Sequence, residues 1–116
     1  MTVAIKFELV SEGIPLACAI FTPEGTGPFP GLIICHGMPA NPFSNLSNQK
    51  ESHNELDYPT LAELCASEGF ACVIFNFRGT GESGGDFHPL GWAHDLEALL
   101  YWMIENPLVD PKRIAI

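Results

Sequence analysis

The stretch that most constrains the fold is residues 31–39, which read Gly-Leu-Ile-Ile-Cys-His-Gly-Met-Pro. The run Leu32–Cys35 is continuously apolar and rich in β-branched residues. A short apolar run bounded by glycine and proline is typical of a strand buried on both faces, as in a parallel sheet. The pattern breaks at His36, which therefore marks the carboxyl end of the strand. In open α/β sheets, ligands bind at this end of the strands.

The break itself predicts a turn with a chemical role. Gly37 permits backbone angles that other residues avoid, so a turn here can aim a main-chain N–H into a site. We expect the N–H of Met38 to be that donor, as half of an oxyanion hole, and His36 to fix the turn by hydrogen bonds. The alternative is an ordinary exit from a strand into a loop, which is common in this fold class.

A long polar segment, rich in Asn and Ser, follows from residue 40 to residue 57. Long loops without secondary structure are usually functional or disordered in compact domains. Because this segment directly follows the expected oxyanion turn, we interpret it as a loop that lines a substrate site. Pro39 and Phe43 are then the candidate substrate contacts, and disorder of the segment is the alternative.

The remaining patterns predict an α/β domain, in which an amino-terminal antiparallel hairpin precedes parallel strands with helices on both faces. The order strand, helix, strand predicts a right-handed parallel crossover. Thr60-Leu-Ala-Glu63 fits a capping box, and Gly69 fits a helix end. The predicted elements are strands Val3–Val10, Leu16–Phe21 and Leu32–Cys35, helix Thr60–Glu68, strand Phe70–Phe77, helix Trp92–Glu105 and a strand beginning at Ile114, with loops at 22–30 and 78–89 and a turn at 110–113.

Charge and cysteine usage exclude several classes of function. The net charge of -9, from five basic and fourteen acidic residues, disfavours nucleic acid and anionic membranes as partners. No apolar stretch approaches the ~20 residues of a membrane helix, and no signal peptide is recognisable. The cysteines lie in apolar stretches without CxxC spacing, so we expect buried, reduced thiols in a cytoplasmic protein and neither a metal nor a cofactor. They are Cys18, Cys35, Cys65 and Cys72.

Two short functional patterns overlap in residues 78–85, Arg-Gly-Thr-Gly-Glu-Ser-Gly-Gly. Gly81-Glu-Ser83-Gly-Gly85 matches a nucleophile elbow, which requires a strand, a sharp turn at the serine and an immediate helix. Gly79-x-Gly81-x-x-Gly84 matches a dinucleotide fingerprint, which should open a helix directly. The strand ends well before Ser83 and no helix starts directly after it, so a structural glycine-rich turn is the preferred interpretation.

Three histidines are candidate general bases. His36 precedes the oxyanion turn, and His88 precedes a proline in a loop. His94 and Asp95 are neighbours on a helix, where adjacent side chains diverge, so they cannot form a base and its orienting carboxylate. The sequence therefore shows no convincing trio of Ser, His and carboxylate.

Taken together, the chain resembles the α/β-hydrolase superfamily, most closely its esterase, dienelactone-hydrolase and prolyl-oligopeptidase-like members. The motifs that carry the resemblance are Leu32-Ile-Ile-Cys-His-Gly-Met and Phe77-Arg-Gly-Thr-Gly-Glu-Ser-Gly-Gly85. The amino-terminal hairpin, the helix around Asp95 and the lead-in Asp110-Pro-Lys-Arg-Ile-Ala-Ile support it. The resemblance covers essentially the whole chain.

The resemblance implies a serine hydrolase that cleaves small ester or amide substrates. In the family the residue after His-Gly donates an oxyanion-hole N–H, which here is Met38. The family's nucleophile elbow follows the strand that begins at Ile114, and its acid and base come later. Residues 1–116 would then be a single partial domain, truncated at the strand before the elbow and inactive alone.

Two rival classes of function remain open at this point. One is a non-catalytic chain that associates with itself or with another chain through the exposed sheet edge at Ile114–Ile116. The other is a nucleotide-binding module built on the glycine-rich residues 79–84. The sequence does not identify the acyl or leaving group.

Overall fold

The computed structural model describes residues 2–37 and 58–116, which form one mixed sheet with a helix on each face. The elements in chain order are β1 (Thr2–Ser11), β2 (Ile14–Pro23), β3 (Phe29–Ile34), α1 (Tyr58–Ser67), β4 (Ala71–Phe75), α2 (Pro89–Ile104) and β5 (Val109–Ala115). The strand order is β1-β2-β4-β3-β5. The first three strands of that order pair antiparallel, and β3 pairs parallel with both β4 and β5. Neither described helix is long and apolar enough to cross a membrane.

The predicted hairpin is confirmed. Strands β1 and β2 pair from Thr2 opposite Pro23 to Ser11 opposite Ile14. Glu12 and Gly13 form the two-residue turn with φ values of 51° and 80°. Two consecutive positive φ angles are the signature of the tight turns that match the twist of a hairpin.

Several strands are longer than predicted and extend into segments that were expected to be loops. β2 continues to Pro23 and β3 already starts at Phe29, so the expected loop 22–30 is shorter. The expected turn at 110–113 is a bulge within β5, because the pair Pro30–Asp110 is followed by the pair Gly31–Ile114. Pro111 cannot donate a ladder hydrogen bond, and such a residue is accommodated in a strand at a bulge.

Helix α1 ends as predicted but begins earlier. Gly69 has a φ of 105°, and the N–H groups of Gly69 and Phe70 donate to the carbonyls of Ala66 and Cys65. This arrangement is a Schellman motif. The helix starts at Tyr58, so Thr60 lies inside the first turn and the expected capping box does not precede the helix. Pro59 fits the first turn, where its missing N–H costs nothing.

Helix α2 also begins earlier than predicted, at Pro89 instead of Trp92. His88 is the N-cap, and its Nδ1 accepts the N–H of Gly91 at 2.9 Å. Histidine is not among the preferred N-cap residues, which is why the sequence pattern placed the start one turn later. Glu105 is the C-cap, so the predicted end is correct to within one residue.

The core lies between the sheet and α2, with a second layer on the opposite face. Leu99 and Met103 of α2 pack against a buried cluster that includes Ile33 and Val73. Successive strand residues point to opposite faces, so Cys72 faces away from that cluster. On that side Ala62 and Ala66 of α1 are fully buried against β4 and β2. Two helices on opposite faces of the sheet are what the sequence predicts.

Candidate functional site at the carboxyl ends of β3 and β4

The exits of two adjacent parallel strands define the candidate site. β3 and β4 pair from Gly31 opposite Ala71 to Ile34 opposite Ile74, so their carboxyl ends lie side by side. His36 follows the first strand and Phe77 follows the second. This end of the strands is where α/β sheets place their ligands, as the apolar run Leu32–Cys35 predicts.

The His36 imidazole joins the two exits by hydrogen bonds at both ring nitrogens. Its Nε2 accepts the backbone N–H of Phe77 at 3.1 Å, and its Nδ1 lies 2.8 Å from the carbonyl oxygen of its neighbour Gly37. An amide N–H can only donate, so Nε2 carries no proton and Nδ1–H donates to the carbonyl. The tautomer of His36 is therefore set by the backbone, and both ring nitrogens are engaged in hydrogen bonds that hold the turn.

Aromatic rings enclose the imidazole. Phe77 and Trp92 stack with centroids 4.3 Å apart and planes 5° apart. The edge of His36 meets both rings, at 5.2 Å from Phe77 and 5.4 Å from Trp92, and Tyr58 lies 6.5 Å away. These contacts restrict the rotation of the imidazole. Together Phe77, Trp92 and Tyr58 form an aromatic wall beside the turn.

Gly37 is exposed, but its backbone differs from the expectation. Its φ lies outside the left-handed region that favours glycine, so the predicted special angle is not the reason for this residue. Among the described residues, a Cβ at Gly37 would meet no atom within 4 Å. With respect to the described residues, a side chain at this position would thus find space at the exit of β3. The other predicted site residues, Met38, Pro39 and Phe43, lie outside the described residues, as does the polar segment 40–57.

Ser83 has a structural position. Its hydroxyl donates to the carbonyl of Asn76 at 2.6 Å and accepts the N–H of Ala17 at 2.9 Å. These bonds extend the pairing of β2 and β4 past the end of the ladder, since the N–H of Asn76 also donates to the carbonyl of Ala17. A serine whose proton is committed to a carbonyl has no general base, and no helix starts after it as an elbow requires.

The glycines around Ser83 form a turn, as preferred from the sequence. Gly79, Gly81 and Gly85 have φ values of 77°, 51° and 79°. A Cβ at Gly79 would collide with the backbone of Phe87, so no other residue fits there. Helix α2 begins only at Pro89, so this glycine-rich segment does not open a helix in the way a dinucleotide fingerprint does.

Arg78 and Asp95 form a buried ion pair behind the aromatic wall. Asp95 is fully buried, and Arg78 is 8% exposed. The Asp95 carboxylate accepts the Arg78 backbone N–H at 2.9 Å, Nη2 at 2.8 Å and Nε at 3.1 Å. The same Nη2 donates to Glu12 at 2.9 Å and lies 3.5 Å from the Ser11 hydroxyl. One guanidinium thus ties the hairpin turn, the exit of β4 and α2 together.

The pair stays ionised because its hydrogen bonds outweigh its burial. Burial by itself would raise the pKa of Asp95, but the bonds from Arg78 lower that pKa below its ordinary value. The bond to Asp95 raises the pKa of Arg78 against the opposing effect of burial. A buried charge without such partners would carry a large desolvation cost.

The role of Asp95 was not predicted from the sequence, where a charged residue next to His94 on a helix gives by itself no sign that it is buried. The buried residues of α2 are Gly91, Asp95, Leu99 and Met103, at intervals of four. That spacing, together with the isolated Arg78, was the available signal. Gly91 makes room for this ion pair, because a Cβ at that position would lie 2.6 Å from the Arg78 guanidinium.

The remaining histidine and cysteine predictions can be placed as well. His94 is exposed while Asp95 is buried, so their side chains diverge as predicted. All four cysteines are free, but only Cys18 and Cys72 are buried as predicted, whereas Cys35 and Cys65 are half-buried. Burial raises the pKa of Cys18 and Cys72 to about 12. Within residues 2–37 and 58–116, no three His, Cys, Asp or Glu side chains form a group that could hold a metal.

The edge of the sheet at β5 is where self-association was predicted. β5 is the last strand of the order on that side, and Ile116 is 62% exposed. Whether this edge pairs with another chain stays a prediction.

Comparison with known proteins adds a family match and several relatives. Residues 12–115 match the Peptidase S15 model, described as X-Pro dipeptidyl-peptidase (S15 family). An uncharacterised 31.7 kDa protein from the traX-finO intergenic region of Escherichia coli is 30% identical over 110 residues, which are 92% of this chain and 34% of that protein. A cocaine esterase of Rhodococcus sp. is 29% identical over 100 residues, which are 85% of this chain and 16% of the esterase.

A solved structure supports the fold directly. XC6422 from Xanthomonas campestris, described as an α/β serine hydrolase without a lid, superimposes with a TM-score of 0.66 and 26% identity. The match covers 92% of this chain and 47% of that one. The chain thus spans about a third of the Escherichia coli relative and less than half of the solved structure.

Proposed function

The chain belongs to the X-Pro dipeptidyl-peptidase family S15 and has the fold of the α/β serine hydrolases, and on that premise we propose that it supplies the oxyanion-hole loop of a serine hydrolase. The substrate is a small carboxylic ester or a related acyl compound such as an amide. The nucleophile, the acid and the base come from outside these 116 residues. The observation that carries the proposal is the clamped turn His36-Gly37 at the exit of β3.

The clamp supports the proposal through the geometry of one peptide unit. The carbonyl of Gly37 and the N–H of Met38 belong to the same planar peptide group, in which a trans arrangement points them in opposite directions. Nδ1–H of His36 holds that carbonyl at 2.8 Å. Fixing the carbonyl fixes the direction of the N–H, so His36 and Gly37 shape the turn and Met38 provides the donor. Pro39 and Phe43 remain proposed substrate contacts next to it.

The chemistry of the proposed reaction needs such a donor. A serine oxygen attacks the acyl carbon, the carbonyl oxygen becomes negatively charged, and a histidine takes the serine proton. An N–H aimed at that oxygen stabilises the transition state more than the ground state. The step is the same for an ester and for a peptide bond after proline. The cocaine esterase and the peptidase family therefore both fit it.

Described residues within the segment do not supply the rest of the machinery. The Ser83 hydroxyl is bonded to Asn76 and Ala17, and His36 uses both ring nitrogens on the backbone. His88 caps α2 through Nδ1. The proposal therefore assigns this segment an electrostatic role and no covalent one.

A backbone variant tests the donor in a chain that also carries the nucleophile, acid and base. Met38→Pro removes the N–H and should lower kcat by a factor of about 100 to 1,000, the usual cost of one oxyanion donor. Met38→Ala keeps the N–H and is the matched control, with turnover of nitrophenyl esters close to the parent. Normal turnover by Met38→Pro would refute the assignment.

A labelling experiment tests the absence of a nucleophile in the 116-residue chain. A fluorophosphonate probe should leave the chain unlabelled, and nitrophenyl esters should not be hydrolysed, because the Ser83 proton is committed to a carbonyl. Ser83→Ala is the control. Stoichiometric labelling that disappears in Ser83→Ala would show instead that Ser83 is the nucleophile.

A further inference from the structure

We propose that the outer edge of β1 is a docking surface for a second copy of this chain, in which the two β1 strands pair antiparallel about a two-fold axis at Phe7. The proposal goes beyond the proposed function and does not depend on it. The candidate site lies at the exits of β3 and β4, whereas β1 is the terminal strand on one side of the described sheet. The observation that carries it is the arrangement of charge along β1.

The edge of β1 is long, regular and apolar. β1 pairs with β2 without interruption from Thr2 to Ser11, and no proline or bulge breaks these ten residues. Its exposed side chains include Val3 at 46% and Ile5 at 54%. The unpaired N–H and C=O groups of such an edge form a template for another strand, which proteins normally block with proline, a bulge or several charges.

The opposite edge of the described sheet carries that protection. Pro111 lies within the bulge of β5, and the neighbouring Lys112 and Arg113 are exposed. A proline has no N–H to donate to an added strand, and charged side chains oppose the approach of one. β1 is therefore the more open of the two edges.

The hydrogen-bonding groups that β1 turns away from the sheet belong to its even-numbered residues. The two-residue turn Glu12-Gly13 makes Ser11 and Ile14 a hydrogen-bonded pair. Bonded and non-bonded pairs alternate along an antiparallel ladder, so the odd-numbered residues of β1 bond to β2. A second strand must therefore bond to the even-numbered residues, among them Lys6 and Glu8.

Lys6 and Glu8 are the charged residues of β1, and they make the edge complementary to itself. Their side chains are exposed on the same face of the strand, opposite Ala19 and Ala17 of β2. Neither forms an ion pair within the described part of the chain. When the two-fold axis passes through Phe7, Lys6 of each copy lies opposite Glu8 of the other. A two-fold interface makes each contact twice, so two pairs of opposite charge form.

The neighbouring registers lack this complementarity. Moving the axis by one residue places Lys6 opposite Lys6 or Glu8 opposite Glu8, and like charges directly opposite one another are destabilising. The register centred on Phe7 also places Ile5 of one copy opposite Leu9 of the other, on the face that does not carry the charges. Side chains in such non-bonded pairs lie close together, so the exposed part of Ile5 would be covered.

Sedimentation velocity on the 116-residue chain tests the dimer. We expect a monomer–dimer equilibrium in the micromolar range, because an interface made by one strand edge is small. Lys6→Glu places glutamates opposite one another and should weaken the dimer on the order of ten-fold or more, as should Glu8→Lys with its opposed lysines. The double variant exchanges the charges and should restore the parent's dimer. A parent that stays monomeric up to ~1 mM would overturn the proposal.

A mixture of the two single variants gives a sharper test. In the mixed pair, each glutamate of the Lys6→Glu chain lies opposite a lysine of the Glu8→Lys chain. A heterodimer should therefore form at concentrations where neither variant forms a homodimer. The substituted side chains are exposed, so the fold should stay intact, and circular dichroism checks this. Failure of both the mixture and the double variant to dimerise would overturn the proposed pairing.

Lys112→Glu is the matched control, because it makes the same substitution at the β5 edge. It should leave the dimer unchanged. Loss of the dimer in Lys112→Glu but not in Lys6→Glu would place the interface at β5, and an unchanged dimer in both variants would place it elsewhere. Either result would overturn the proposal.

Amide hydrogen exchange locates the contact independently. The N–H groups of Lys6 and Glu8 point out of the sheet, so they should exchange more slowly at concentrations where the dimer forms than at concentrations where the monomer prevails. Phe7, whose N–H already bonds to β2, is the internal reference. Exchange of Lys6 and Glu8 that is independent of concentration, in a chain that dimerises, would show that the copies meet at another surface.

Discussion

Replacing Asp95 by alanine should destabilise the chain far more than any change on its surface. The carboxylate receives three separate donors from Arg78, at 2.8 Å, 2.9 Å and 3.1 Å, in a fully buried position. Without it, a nearly buried guanidinium keeps only Glu12 and Ser11, and one buried backbone N–H has no acceptor. Removing one partner of a buried pair costs about 3–5 kcal/mol. That is a large part of the ~5–15 kcal/mol by which a domain is stable.

A second carboxylate on the same guanidinium provides the matched control. Glu12 bonds Nη2 of Arg78 at 2.9 Å, the same type of contact as Asp95, but its side chain is 53% exposed. An exposed ion pair contributes about 0–1 kcal/mol, because water solvates both charges when it is broken. Glu12→Gln should therefore change the free energy of unfolding by less than about 1 kcal/mol.

A double-mutant cycle separates the ion pair from its surroundings. Arg78→Met leaves Asp95 with the backbone N–H of residue 78 and the Ser11 hydroxyl, and should also cost about 3–5 kcal/mol. In the double variant no buried charge is left, and the main residual cost is the orphaned N–H of residue 78, about 1–3 kcal/mol. The double variant should thus lose at least about 3 kcal/mol less than the two single variants together.

Urea unfolding, followed by circular dichroism and by tryptophan fluorescence, measures the free energy of unfolding of the parent and the four variants. Trp92 donates to the Arg78 carbonyl, so its fluorescence reports on the same region. A cost below about 1 kcal/mol for Asp95→Ala, or strict additivity in the cycle, would refute the view that this pair holds the exit of β4 in place.

Two further predictions concern the stability of the protein at low pH and the replacement of the exposed Gly37. Because the pKa of Asp95 is lowered on folding, its contribution to stability is complete above the ordinary value of about 3.9 and is lost as pH falls through the lower folded value. The urea concentration at the midpoint of unfolding should therefore fall more steeply below pH ~4 for the parent than for Asp95→Asn. Parallel plots of midpoint against pH for the two proteins would contradict this. Gly37→Ala should change stability by no more than about 1 kcal/mol, because the φ of Gly37 lies outside the left-handed region in which alanine is strained. In a chain that also carries the proposed nucleophile, acid and base, the same variant should lower turnover of nitrophenyl esters, because it adds a methyl group at the proposed oxyanion turn. Unchanged turnover would place Gly37 outside the site.

Much of the fold could be predicted from local patterns. Alternation in β1, the apolar runs of β3 and β4, and glycines at 13 and 69 each determine structure within a few residues of themselves. Such signals depend on side-chain period and on backbone sterics, which the sequence displays directly. The hairpin, the crossover and the two helical faces followed from them.

The misplaced boundaries have a different cause. The bulge in β5 exists because the chain pairs with β3 on both sides of Pro111, and the local composition of 110–113 reads as a turn. The start of α2 depends on an imidazole that acts as N-cap, which is a rare use of histidine. In both cases tertiary contacts override local propensity.

The glycine-rich segment shows why two motif patterns can coincide in a turn that is explained by structural contacts. Arg78 holds the buried pair, Gly79 and Gly81 supply positive φ angles, and Ser83 closes the end of the β2–β4 ladder. Arg78 and Ser83 are explained by contacts with the amino-terminal hairpin and α2, far away in sequence. The two glycines are explained by their φ angles and by the close approach of Phe87 and Asn76. As a sequence, glycine and serine at this spacing match the pattern of a nucleophile elbow and that of a dinucleotide fingerprint equally well. Both motifs require a helix directly after the glycines, and here the helix begins only at Pro89. The segment is instead a turn after β4, next to the Phe77 N–H that donates to His36 after β3.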